Sequence, residues 1–105
     1  MTEVSLAQGN TAYNEDISVL AAGTAIIGRP CTVWTITVTT DTAGDGAVSF
    51  SNHATAFSNT AQVDKVVLTD EVKTFQLVYP KGLYLSAGLT ATANKASMNV
   101  SVTYD

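Results

Sequence analysis

A chain of 105 residues that is 46% hydrophobic and only 13% charged has the length for one domain with a real core and is too apolar for a disordered tail. Its formal net charge of −4, with five Lys and Arg residues scattered along it, argues against partners held by basic surface, so neither nucleic acid nor an anionic membrane is expected. Threonine stands out at 16 of 105 residues; its branched Cβ suits a pleated surface and points to an all-β chain.

The first residues, "MTEVSLAQ", are acidic and polar and lack the basic and apolar regions of a secretion signal, so synthesis and folding in a cytoplasm is the default. Val4 and Leu6 suggest a short initial strand. Residues 1–14 hold that short strand, ahead of a single domain over 15–105. Further strands are expected at "ISVLA" and "TAII", separated by Gly23. Pro30 breaks the chain, and "CTVWTITVTT" then alternates, with Trp34, Ile36 and Val38 on one side and Thr35, Thr37 and Thr39 on the other. That is the pattern of an antiparallel strand with one face packed. Cys31, the only cysteine, forms no intrachain disulfide and reads as a small buried hydrophobe.

Asp45-Gly46 within "TAGDGA" is a hairpin-type dipeptide leading into "GAVSFS", where Val48 and Phe50 alternate. A calcium loop is a poorer reading of Asp41 and Asp45, because Ala43 falls at a ligand position and no acid follows until Asp64. "NHATAFSNTAQ" is a loop or one helical turn. His53 within it is the only histidine and sits near Ser49, Ser51 and Ser58. Without a nucleophile elbow it reads as a loop histidine, and with one distant cysteine it cannot complete a zinc site. "VDKVVL" and "KTFQLVY" are the next strands, with Phe75, Leu77 and Tyr79 in phase.

"YPKG" is then expected to turn, Gly88 to reverse the chain again, and Leu89 to re-enter the apolar layer. The last strand is the clearest: Met98, Val100, Val102 and Tyr104 alternate with Ser97, Asn99, Ser101 and Thr103. About eight strands with turns between them predict an antiparallel β-sandwich, jelly-roll or Ig-like. No catalytic constellation emerges, so the chain is read as non-enzymatic, without metal or cofactor. The polar faces of the two clearest strands carry hydroxyls and amides in place of Lys and Glu; such a face is either cheap to desolvate against a sibling subunit or a solvated face of high β propensity.

The segments "GRPCTVWTITVTTDTAGDGAVSFSN", "FQLVYPKGLYLSAGLTATAN" and "MNVSVTYD" together resemble small virion proteins of tailed bacteriophages, the group of capsid decoration and head-auxiliary proteins. The resemblance covers residues 28–105 and is most specific at "PKGLYLSAGL". It implies a β-sandwich on the capsid exterior that binds the major capsid protein, cements neighbouring capsid subunits and forms a homo-oligomer, with a trimer favoured. It also implies an N-terminal arm, in which Val4, Leu6 and Tyr13 would meet the capsid. Thr35, Thr37, Leu83, Tyr84 and Leu89 are the candidates for contacts between subunits. A tail or fibre component of the same particle is the alternative, and a small carbohydrate-binding module a more distant one.

Overall fold

The computed structural model describes residues 10–42 and 44–105. Eight strands make two four-stranded antiparallel sheets: β1 (Asn10–Asn14), β2 (Thr24–Ile27), β3 (Cys31–Thr40), β4 (Gly46–Ser51), β5 (Gln62–Leu68), β6 (Thr74–Leu85), β7 (Leu89–Ala93) and β8 (Met98–Tyr104). One sheet has the order β1-β8-β3-β6 and the other β2-β7-β4-β5. Strands β1 and β8, β2 and β7, β3 and β6, β4 and β5 are therefore partners, as in a long hairpin wound around itself. Of the two expected sandwiches this is the jelly roll.

The core is the space between the sheets. Val33, Ile36 and Val38 of β3 and Val100 and Val102 of β8 face Val48 and Phe50 of β4, Leu89 and Ala91 of β7, and Val66 and Leu68 of β5, all buried. Branched and aromatic side chains on alternate positions fill that layer, which is why the strands form where period-two alternation is strongest. Ile17 is just as buried but belongs to no strand: "ISVLA", expected to be extended, is part of the β1–β2 connection. Its anchor is the Ile17 N–H, which donates to the Met98 carbonyl at 2.8 Å.

Three further expectations change. Trp34 is not in phase with Ile36. On β8, consecutive residues Tyr104 and Thr103 face Val33 and Thr35, so Trp34 is the extra residue of a β-bulge and turns outward. Cys31 and Val33 thereby join Ile36 and Val38 on the buried side. "YPKG" is not a turn either. Strand β6 runs through it, and the pairing with β3 steps from Val78 to Leu83, leaving Tyr79–Gly82 as a wide bulge on an outer strand, where proline costs no ladder bond. Asp45-Gly46 closes no hairpin, because β3 and β4 lie in different sheets; the chain crosses the sandwich there, with Gly44 at φ 104°. The ambiguous segment before β5 is a loop with a single 3-10 turn at Asn59–Ala61.

Candidate functional site

The two outer faces of the sandwich differ in what covers them. On the β2-β7-β4-β5 sheet, Ser51 and Thr90 point away from the core and yet are fully buried, because the chain between β4 and β5 lies over them. Their hydroxyls bond each other, Ser51 Oγ accepts from the Ser58 N–H at 3.1 Å, and Thr90 Oγ1 donates to the Ala56 carbonyl at 3.1 Å. The β1–β2 connection covers the neighbouring part, where Thr92 Oγ1 donates to the Leu20 carbonyl at 2.9 Å. The protein's own loops thus cover this face over β4 and β7 and leave β5 open, where Val67 is 59% exposed.

On the β1-β8-β3-β6 sheet the described residues give such cover only at the Asn99 end of β8, where the loops bonded to that residue bury it. Register places its outward side chains in rows across all four strands: Tyr13, Ser101, Thr37 and Gln76 in one, Thr11, Thr103, Thr35 and Val78 in the next. Lateral hydrogen bonds set the rows: Thr35 Oγ1 and Thr103 Oγ1 are 2.7 Å apart, and Gln76 Nε2 donates to Thr37 Oγ1 at 3.1 Å. Across the four strands Lys81, in the β6 bulge, is the only charged residue. An uncharged face on which Thr35, Thr103, Thr37 and Gln76 already bond one another loses less on leaving water than a charged one would.

Charge is gathered elsewhere. The β1–β2, β3–β4, β5–β6 and β7–β8 connections meet at one end, and they hold Glu15, Asp16, Asp41, Asp45, Asp70 and Glu71, six of the nine acidic residues. There Asn99 acts as a tie: its Oδ1 accepts from the Asp16 N–H at 2.9 Å and its Nδ2 donates to Asp41 Oδ2 at 3.1 Å. Asp16 Oδ1 in turn accepts from the Ser97 N–H at 2.9 Å. Lys95 Nζ donates to the Gly44 carbonyl at 2.9 Å and holds the β3–β4 crossing.

Of the residues expected at contacts, Tyr13 stands 58% exposed on β1 and Thr35 and Thr37 lie in the uncharged rows. Tyr84 is 67% exposed on β6, opposite Thr32. Leu83 packs half-buried against the core. Leu89 cannot serve: it is completely buried between the sheets and offers a neighbouring subunit nothing to touch. Val4 and Leu6 lie outside the described residues. Gln76, Val78 and Trp34 also belong to this face and were missed. The lack of any charge from Thr74 to Pro80 is a signal for Gln76 and Val78, while nothing in the sequence marks Trp34.

The groups with latent chemistry are engaged in structure. His53 Nδ1 accepts from the Thr55 and Ala56 N–H groups, both at 3.2 Å, while nearby Ser51 is bonded to Thr90. Burial pushes the Cys31 thiol up, against a smaller opposing pull from Arg29, so it stays protonated and unreactive. Among the described residues no three His, Cys, Asp or Glu side chains converge on a metal position. No family model, curated protein or solved structure matches this chain.

Proposed function

We propose that this protein is a structural subunit of a tailed-phage particle, seated on the capsid exterior, where it cements neighbouring capsid subunits. The observation that carries the reading is the outer face of the β1-β8-β3-β6 sheet, which is uncovered away from Asn99 and, outside the bulge at Lys81, uncharged. The jelly roll alone does not select a function, since viral capsid and lectin domains both use it. The phage context comes from the resemblance of residues 28–105, and the sheet face supplies a surface suited to it. Cementing needs no reacting group. It needs a flat surface with little desolvation cost, repeated over the lattice so that modest contacts add up.

Thr37 sits centrally in the face and is the place to test it. Thr37→Lys leaves the core untouched and adds a charge that a protein neighbour would have to desolvate. Undecorated capsids incubated with purified protein should retain the wild type and lose the variant, read by gel after sedimentation of the particles. Equal retention of both proteins would refute docking through this face. The copy number in purified particles tests the location: on the order of hundreds supports decoration of the shell, whereas a few dozen or fewer assigns the protein to the tail.

A further inference from the structure

Among the described residues, six of the nine large apolar side chains that stand exposed belong to β5, β6 and the turn between them: Val63, Val67, Val72, Phe75, Val78 and, beyond the bulge, Tyr84. They gather on one side of the sandwich, where β6 is the last strand of its sheet and no described strand pairs with its outer edge. Natural proteins guard such edges with lysine, proline or a bulge. Here all three begin only at Tyr79–Gly82, and Thr74–Val78 presents its unpaired N–H and C=O groups beside "TFQLV", with no charge.

We infer that β6 pairs antiparallel with β6 of a second copy about a two-fold axis normal to the sheet at Gln76, joining two sheets into one of eight strands. The register follows from pleat and charge. Such an axis keeps both cores on the same side, so inward residues meet inward residues and the axis passes through a residue, never between two. Phe75 and Leu77 point inward, opposite Val38 and Ile36 of β3.

An axis at Leu77 would set Lys73 against Lys81 of the second copy, a like-charge pair that disfavours pairing. One at Phe75 sets Lys73 against Leu77 and runs Glu71 toward Tyr79, with no charge complement. An axis at Gln76 brings Glu71 of each copy toward Lys81 of the other, twice by symmetry. It also pairs Phe75, 46% exposed in the single chain, with Leu77 on the inner face, and Val78, 57% exposed, with Thr74 on the outer. A two-fold pair follows in place of the trimer that the resemblance implies. The inference uses the sheet's edge and not its face, so it stands or falls apart from capsid docking.

Sedimentation equilibrium of the full chain from about 1 to about 100 μM is the test. The wild type should be a dimer, and Val78→Lys should weaken dimerisation at least about tenfold while the circular dichroism spectrum is unchanged. Glu71→Lys and Lys81→Glu, both at exposed positions, should each weaken it, and the double variant should regain wild-type association. A wild type that stays monomeric throughout, or forms a trimer, would overturn the proposal. So would a dimer indifferent to Val78→Lys. A dimer that Val78→Lys breaks but the charge changes leave alone would overturn the axis at Gln76.

Discussion

Asn99 is 4% exposed, and its side chain joins the β1–β2 connection to the β3–β4 crossing through one accepted and one donated hydrogen bond. Asp16 and Ser97, at the ends of the same network, both hold positive φ, 54° and 64°. L residues rarely adopt that backbone without local hydrogen bonds to fix it. Replacing Asn99 by Ala would strand the Asp16 N–H beneath the loops, and leaving such a group without a partner costs about 1–3 kcal/mol. Urea unfolding of N99A should show a loss in that range with an unchanged slope; a loss under about 0.5 kcal/mol, the level of an ordinary surface change, would mean that water replaces the amide at no cost. In sequence this residue is one polar position in an alternating strand. Its phase predicts the solvated face, and nothing local reveals that loops from distant parts of the chain fold over it.

The long, strongly alternating strands were legible, while the false strand at "ISVLA" and the breaks in regularity were not. Alternation in β8 and in the second half of β3 follows from a sheet with one buried face, and "MNVSVTY" and "TITV" keep to it. Trp34 defeats the reading because a bulge shifts the phase by one residue without any glycine or proline to mark it. Conversely, Pro80 and Gly82 do mark an irregularity, but a bulge and a turn share those markers. Partner choice is still less visible: alternation says which way a side chain faces, not that β3 joins β6 and β8 while β4 crosses to the other sheet. One tie between the sheets lies at the open edge, where the Tyr79 hydroxyl of β6 donates to Asp64 Oδ2 of β5 at 2.6 Å. Burial, and then this bond to a carboxylate, push the Tyr79 phenol well above its ordinary value. The unfolded chain therefore gives up that proton first, so the stabilisation is complete below about pH 10 and declines as pH rises beyond it. Cys31, also raised by burial, acts with the same sign and is common to wild type and variant. Tyr79→Phe should lower stability at neutral pH and show a shallower decline above about pH 10. Parallel urea midpoints for both proteins with the same alkaline slope would show that the clasp contributes nothing.

The whole molecule separates its charge from its flat surface. Six acidic side chains ring one end of the sandwich, while the largely uncovered sheet carries hydroxyls and amides with one lysine in a bulge. The two regions make opposite demands of a partner. Docking through the acidic end would be a long-range electrostatic association, screened as the Debye length shrinks from about 14 Å near 0.05 M salt to about 4 Å near 0.5 M. Docking through the sheet face depends on shape and on desolvating polar groups that already have partners, and salt barely enters. Capsid occupancy by the purified protein should therefore change less than about twofold over that range. A steep decline, with neutralisation of Asp70 and Glu71 to Asn and Gln weakening binding at low salt, would move the contact to the loop end. An unchanged response in D70N/E71Q, together with loss in Thr37→Lys, would keep it on the sheet. The same comparison separates docking from self-association, because Glu71 serves the β6 pairing and not the face: Glu71→Lys should lower the dimer fraction while each remaining monomer still binds the capsid.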